Sequence, residues 1–250
     1  MFKYNVFLGL FIFTLTSIAI YSCNKENQKP EITSGESVST NTEMRASFCE
    51  NALGNCTGPY SEKTVQITGI DSYPNCTFYL TYKFRSCDNG LDIIYIDFAY
   101  HISDPGCSTF DTDTNGPNAQ AIFDQVTSEL LAYAIELEGF DKARECGQSG
   151  GPMNISLFQS SCAKRCLVEI YKSEFGKGRK VVSVPCSNSG CCKMTWSVCI
   201  DPISGELETT ILEKPSGIGN CTGPNTIPCP RHTIAEGVCR PACLHIGTGG

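Results

Sequence analysis

Seventeen cysteines in a chain of 250 residues are the feature that most restricts how this protein folds. Their spacings contain no pair of CxxC knuckles, and the three histidines are scattered, so zinc binding is the less favoured interpretation. Cys23 lies in the N-terminal segment considered below and is set aside here. Sixteen cysteines remain, and this even number fits complete pairing in an oxidising compartment. We therefore predict a disulfide-rich fold whose connectivity the sequence leaves open. The cysteines expected to pair are Cys49, Cys56, Cys76, Cys87, Cys107, Cys146, Cys162, Cys166, Cys186, Cys191, Cys192, Cys199, Cys221, Cys229, Cys239 and Cys243.

Charge and hydrophobicity narrow the class of protein further. The chain carries 19 Lys and Arg against 26 Asp and Glu, a formal net charge of −7, and it has no block of basic residues. This balance argues against nucleic acid or an anionic lipid surface as the main partner. The hydrophobic fraction of 41% is sufficient for a core, and the length allows one large domain or two small ones.

The first 23 residues have the pattern of an export signal. Lys3 precedes an almost unbroken apolar run, Val6–Ile20. At about fifteen residues this run is too short to span a bilayer comfortably, but it suits the h-region of a signal peptide. It ends in Ile20-Tyr21-Ser22-Cys23, with a branched apolar residue three positions before the cysteine and a small residue directly before it. This ending resembles the lipobox of bacterial lipoproteins.

The lipobox resemblance implies that residues 1–22 are removed and that Cys23 is diacylated on its sulfur. Residues 23–45 are polar and without periodicity, which predicts a disordered tether behind the anchor. The first tether residues, Asn24-Lys25-Glu26, resemble the acidic signals that send some Gram-negative lipoproteins to the outer face of the outer membrane. We therefore expect an exported protein, lipid-anchored to the membrane, with the outer membrane favoured and either a periplasmic or a surface face.

The first part of the mature chain predicts a β-hairpin. Segments Cys76–Ser86 and Leu91–Tyr100 alternate apolar and polar residues around the turn-forming triplet Asp88-Asn89-Gly90. A two-residue Asn-Gly turn would set apolar residues opposite polar ones, whereas a three-residue loop with a left-handed glycine sets Leu80 opposite Phe98. We predict the three-residue loop, because it buries one face, and we expect the aromatic residues of that face to be packed in the core.

A helical period replaces the alternation at residues 117–138. Pro117 suits the first helical position and Gly139 the end. Strand patterns return after the glycine-rich joint Gly147–Gly151 and give way to an irregular Cys-rich tail. We predict a mainly β, α+β fold of disulfide-rich antiparallel hairpins or sandwich-like sheets with one long amphipathic helix. Residues 46–146 and 147–250 form either two parts or one domain.

One hexapeptide occurs twice, as Gly54–Pro59 and as Gly219–Pro224, in flanks that do not match. Asn, Gly and Pro all favour turns. We interpret both copies as turns anchored by disulfides rather than as evidence of a duplicated domain.

The segment Gly147-Gln148-Ser149-Gly150-Gly151-Pro152 is the first of two candidate sites. It resembles the GDSGGP sequence around the nucleophile of chymotrypsin-like serine proteases, with Gln148 in place of the acid, and this resemblance implies Ser149 as a nucleophile. It also contains a G-x-S-x-G string, which needs a strand before the serine and a helix after it. The predicted order here is the reverse, and we favour a flexible glycine-rich joint.

The second candidate is a calcium site. Residues 111–116 read D-x-D-x-N-G, which resembles the first half of an EF-hand or dockerin-type loop and implies Asp111, Asp113 and Asn115 as calcium ligands. Ile122 stands where that family has a bidentate acid. An exposed acidic turn before a helix, whose N-terminal dipole favours carboxylates, accounts for the same residues.

We accordingly expect a membrane-anchored extracytoplasmic lipoprotein with a non-catalytic binding or structural surface role. The expected partners are the membrane, through the lipid anchor, and a protein or glycan ligand that the sequence does not identify; no nucleic acid is expected. Two alternatives remain open: a serine hydrolase using Ser149, and a calcium-stabilised adhesion or assembly module. The non-catalytic role is preferred because the sequence contains no convincing catalytic constellation.

Overall fold

The computed structural model describes residues 47–50, 52, 54–172, 176–187, 189–216, 221 and 227–243. These residues all belong to one compact unit. The predicted signal peptide, lipidated cysteine and tether, residues 1–45, lie outside the described residues. Within the described chain, no helix is both long and apolar enough to cross a membrane.

Ten strands form one mixed sheet in the described part of the chain. They are β1 (Ser61–Ile67), β2 (Phe78–Cys87), β3 (Gly90–His101), β4 (Met153–Ser160), β5 (Cys162–Lys172), β6 (Gly176–Pro185), β7 (Cys191–Ile200), β8 (Leu207–Ser216), β9 (Thr233–Glu236) and β10 (Arg240–Pro241). The main order is β10-β5-β6-β3-β4-β7-β8, while β2 joins β1 to β3 and β9 pairs with β5. Only β3 and β4 run parallel among these pairs. The predicted mainly β, α+β class is confirmed.

Strand β3 is the centre of the sheet. One of its edges pairs with β2 from Gly90 to Tyr100. Its other edge is shared, because Gly90–Ile94 pair with β4 and Asp97–His101 pair with β6. The two predicted parts, residues 46–146 and 147–250, are therefore joined through the hydrogen bonds of one strand.

The turn of the β2–β3 hairpin is shorter than predicted. Cys87 lies opposite Gly90, so the turn consists of Asp88 and Asn89 alone. Gly90 is the first residue of β3 and is not left-handed. The predicted three-residue loop is wrong.

A bulge in β3 nevertheless produces the predicted pairing at the far end of the hairpin. Ile96 is an extra residue there, and beyond it Leu80 lies opposite Phe98, as expected. The bulge exchanges the two faces of β3, so that Ile93 and Tyr95 face the main core before it and Phe98 faces the same core after it. Both faces of this strand are buried, which is why a plain alternation did not reveal the bulge.

The helices are α1 (Ser47–Glu50), α2 (Ser108–Asp113) and α3 (Ala119–Lys142), with a 3-10 turn at Pro105–Cys107. Helix α3 is the predicted long helix, although it begins at Ala119 rather than at Pro117 and runs to Lys142 rather than to 138. Gly139 does not end it. A Cβ at Gly139 would lie 2.7 Å from Leu207 Cδ2, so the glycine permits close approach of β8.

We call α2 and α3 the helical layer, because both pack on one face of the sheet. The buried positions of α3 are Phe123, Val126, Thr127, Leu130, Leu131, Ala134, Ile135, Glu138 and Gly139. Phe110 of α2 lies at the centre of an aromatic cluster, with ring centroids 4.8–5.1 Å from those of Tyr73, Phe78 and Tyr100. The aromatic face of the hairpin is therefore packed in the core, as predicted.

Eight disulfides join all sixteen cysteines that were expected to pair, and the prediction of a disulfide-rich protein is confirmed. The bonds are Cys49–Cys191, Cys56–Cys87, Cys76–Cys107, Cys146–Cys199, Cys162–Cys221, Cys166–Cys229, Cys186–Cys239 and Cys192–Cys243.

We call Cys221 and residues 227–243 the C-terminal arm. Its strands β9 and β10 lie along the edge of β5. Four disulfides attach it to β5, to β7 and to the residue that follows β6. Among its described residues, Ala242 is the one buried hydrophobic side chain.

Candidate functional site

The turn between β7 and β8, residues 201–205, is held by the side chain of its first residue. Asp201 accepts hydrogen bonds from Ile203 N at 2.8 Å and from Ser204 Oγ at 3.1 Å, and its carbonyl accepts one from Gly205 N at 2.8 Å. The bond from Ile203 N, supported by Ser204, lowers the pKa of the Asp201 carboxyl below its ordinary value. Gly205 adopts a left-handed φ of +72°. These bonds give the turn one well-defined conformation.

Ile203 projects from this turn. We call its side chain, together with the turn that carries it, the apolar tip. It is 95% exposed, the most exposed large hydrophobic side chain in the described chain. Single exposed apolar residues are common on protein surfaces. However, burying an isoleucine is worth about 1.5–3 kcal/mol, and here almost none of it is realised within the protein. A hydrogen-bonded turn that holds an exposed isoleucine outside the core has the geometry of a contact residue.

Sequence analysis did not reveal the exposure of Ile203. Hydrophobic alternation ends where the strand ends, so it carries no information on a side chain inside the turn. The signal that was available is an isoleucine within the run Asp-Pro-Ile-Ser-Gly, whose other members all favour turns.

In the structure, the three predicted calcium ligands make hydrogen bonds to different protein groups. Asp111 accepts hydrogen bonds from Tyr100 OH at 2.8 Å and from Arg179 Nη1 at 2.5 Å. Asp113 accepts one from Tyr73 OH at 3.0 Å, and Asn115 donates to the carbonyl of Asp111 at 2.7 Å. Asp111 and Asp113 belong to α2, where residues two apart point in different directions. The calcium site stays a prediction, and a guanidinium already occupies its first ligand.

Ser149 lies in an exposed turn between α3 and β4. Gly147, Gly150 and Gly151 on either side of it have left-handed φ values of +85°, +108° and +71°. The order of elements is helix, turn and strand, the reverse of a nucleophile elbow. This arrangement agrees with the predicted glycine-rich joint, and the hydrolase alternative gains no support from it.

The first copy of the repeated hexapeptide is docked on a buried carboxylate. Asp92 is fully buried and accepts hydrogen bonds from Asn55 N at 2.8 Å, Cys56 N at 3.1 Å and Arg85 Nε at 2.9 Å. A Cβ at Gly54 would lie 2.0 Å from a carboxylate oxygen, so glycine is required for this approach. The first copy is thus a disulfide-anchored turn, whereas the second lies mostly outside the described residues.

A row of polar side chains continues from this turn across three strands. Asn55 Nδ2 donates to Ser156 Oγ at 2.9 Å, the hydroxyls of Ser156 and Thr195 are 3.1 Å apart, and Thr195 donates to Glu213 at 2.9 Å. Because Thr195 gives its hydrogen to Glu213, Ser156 gives its own to Thr195. Ser156 is fully buried. The row is a continuous chain of hydrogen bonds that fastens the turn to the sheet.

Glu138 forms a saturated ionic cluster near the C-terminal end of α3. The carboxylate is 1% exposed and binds Tyr82 OH at 2.6 Å, Lys63 Nζ at 2.7 Å and Lys142 Nζ at 2.8 Å. Burial acts to raise the pKa of Glu138, but the hydrogen bonds from Lys142, Lys63 and Tyr82 outweigh it and lower that pKa. A fully compensated buried charge of this kind holds the helix on the sheet.

A second ionic cluster, near the start of α3, is less completely satisfied. Arg165 is 2% exposed and donates from Nε to Asp124 at 3.1 Å. Arg165 Nη2 and Gln120 Oε1 are buried without a hydrogen-bond partner among the described protein atoms. Gly237 of the arm covers this point, because its N donates to the Arg165 carbonyl at 2.9 Å. Any ligand here must first displace the arm, so we do not take this cluster as the candidate site.

Comparison with known proteins adds no identity. No protein-family model matches the chain, and neither a curated protein nor a solved structure is significantly similar to it. Function must therefore be argued from the residues themselves.

Proposed function

We propose that the protein is a lipid-anchored, extracytoplasmic binding protein without catalytic activity. The observation that carries the anchor is the division of its cysteines. Sixteen of the seventeen cysteines in the sequence are joined in eight disulfides, and Cys23, outside the described residues, is the one that these bonds do not include. Cys23 is also the cysteine of the lipobox-like segment, whose thiol must be free for acylation.

The disulfides also support export. Structural disulfides persist in oxidising compartments and are rare in reducing ones. A disulfide-braced body behind a lipid anchor and a polar tether suits a protein that meets partners outside the cytoplasm. A single lipid chain binds membranes only marginally, whereas the several chains of a lipoprotein anchor hold firmly, at about 0.8 kcal/mol per buried methylene.

The arrangement of polar groups supports a non-catalytic role. Two buried carboxylates, Asp92 and Glu138, each accept hydrogen bonds from three donors. Their hydrogen bonds fasten a turn and a helix to the sheet. The apolar tip, in contrast, presents side-chain surface that the protein itself does not use. We therefore assign binding to the surface and stability to the buried charges.

The test of the anchor is Cys23→Ala in the full-length protein, with Ser22→Ala as the matched control, since alanine keeps a small residue before the cysteine. Cys23→Ala is expected to abolish labelling by a radioactive fatty acid and to move the protein from the detergent phase to the aqueous phase or leave it unprocessed. Ser22→Ala is expected to behave like the wild type. A Cys23→Ala protein that still carries label and partitions into detergent would refute the proposal.

A further inference from the structure

We infer that the apolar tip is a docking point for a protein that has an apolar pocket surrounded by basic side chains. The inference rests on the proposed binding role and names the kind of partner. Its first basis is position. Ile203 stands at the end of the β7–β8 hairpin, and Phe140, 38% exposed, is at the same end of the molecule, because its neighbour Gly139 packs against Leu207 at the start of β8.

The second basis is the charge around the tip. Three exposed carboxylates lie on the segments next to the turn, and we call them the acidic rim: Glu206 directly after the turn, Glu208 on β8, and Glu145, whose backbone bridges to Ile200. Glu208 lies beside the Cys146–Cys199 disulfide, with its Oε2 3.6 Å from the Cys146 sulfur. Asp201 beneath Ile203 adds a fourth negative charge. An apolar centre inside a charged rim is the usual anatomy of a protein–protein contact.

Two described basic residues near the rim, Arg144 and Lys142, are directed elsewhere. Arg144 reaches the carbonyl of Asp88, 3.5 Å from its Nη2, and its Nη1 lies against Gly150. Lys142 binds the buried carboxylate of Glu138 at 2.8 Å. The rim therefore keeps its negative charge, and a partner with basic residues around its pocket gains electrostatic complementarity.

The same charge argues against two other occupants. An anionic membrane surface would repel the rim, so insertion of Ile203 into lipid is disfavoured. A symmetric contact between two copies through this tip would place acidic rim against acidic rim. A basic partner satisfies both the isoleucine and the carboxylates.

The experiment uses the full-length lipidated protein in the cells that produce it, with a photo-reactive phenylalanine analogue at position 202. This position is exposed and adjacent to Ile203, which stays in place. Three variants are compared in this background: Ile203→Ser, Glu206→Gln and the matched control Leu212→Ser. Leu212 is an exposed leucine, 54% accessible, on β8 about 17 Å beyond the start of the strand.

The expected result is one adduct with a different protein, with the cross-link in a segment of apolar residues flanked by Lys or Arg. Ile203→Ser should lower its yield roughly tenfold. Glu206→Gln should lower it less and weaken its dependence on salt. Leu212→Ser should leave the yield unchanged. Unchanged melting temperatures would show that each variant is folded.

An adduct with phospholipid, with a second copy or with an acidic segment would overturn the inference, as would no adduct above that of an unmodified chain. Fractionation of the same cells separates the two proposals. Membrane-bound protein without the adduct refutes the docking point alone, while protein that is not membrane-bound refutes the anchor, whatever position 202 captures.

Discussion

The helical layer and the C-terminal arm are both attached to the same sheet, but by different forces. Helix α3 buries nine positions, and Phe110 of α2 contacts several aromatic rings in the core. In the described part of the arm, Ala242 is the one buried hydrophobic side chain, while Ile234 and Val238 are 47% and 63% exposed. The arm instead carries one cysteine of each of four disulfides.

The difference shows what covalent bonds replace. Apolar burial contributes about 25 cal/mol per Å², so a segment that buries little gains little from folding against the sheet. Each arm disulfide joins residues 51–63 positions apart. Under the entropic model, closing a loop of that size lowers the entropy of the unfolded chain and so stabilises the folded state by about 4 kcal/mol. Half of the disulfides thus secure a segment that contributes little to the core.

The largest effect is expected from Phe110→Ala in the helical layer. Removing a ring at the centre of the aromatic cluster leaves a cavity, and the free energy of unfolding should fall by about 3–5 kcal/mol. The matched truncation in the arm, Ile234→Ala, should change it by less than about 0.5 kcal/mol. Chemical denaturation with the disulfides intact measures both. Equal losses would mean that the arm belongs to the core after all.

Disulfide removal gives the next largest effect and divides the two regions again. Replacing Cys76 and Cys107 by alanine removes a bond whose two ends are both fully buried in the main core, and should lower the free energy of unfolding by about 2–5 kcal/mol. Replacing Cys166 and Cys229 should act mainly on the arm. Hydrogen exchange and limited proteolysis are expected to increase at residues 229–243, with a smaller change in global stability.

The comparison would be broken if the two double variants unfolded with the same midpoint and the arm stayed protected in both. Each pair must be replaced together, because a single substitution leaves a free thiol that exchanges with the remaining disulfides.

What the sequence could predict follows from the range of the signal. The period of α3 is visible because one stripe of a long helix faces the core, and the hairpin is visible because β2 alternates. The register of the β2–β3 hairpin was not visible, because the bulge at Ile96 lies in a strand with both faces buried. The end of α3 was misplaced because Gly139 serves close packing against Leu207 rather than termination.

The ionic clusters were beyond sequence analysis for a related reason. Glu138 and Lys63 are 75 positions apart, and Arg165 and Asp124 are 41 apart, so only the topology of the sheet brings them together. Short helix α2 was missed because six residues hardly show a period. As a result, Asp111 and Asp113 were interpreted as ligands in a calcium-binding loop, whereas both belong to a short helix.

The smallest expected effect concerns calcium, and it tests whether the helical layer is held by its own side chains alone. Asp111 binds Tyr100 OH and Arg179, so a cation must compete with a guanidinium that is 2.5 Å away. We expect several millimolar calcium to leave the melting temperature of the wild type unchanged. Asp113→Ala should cost at most about 1 kcal/mol, because its bond to Tyr73 OH lies at the surface. A calcium site of the weak extracellular kind, with Kd about 10⁻⁴–10⁻³ M, would instead raise the melting temperature by mass action. If that rise occurs in the wild type, is reversed by a chelator and disappears in Asp113→Ala, then a metal shares in holding the helical layer and the contrast with the disulfide-held arm must be redrawn.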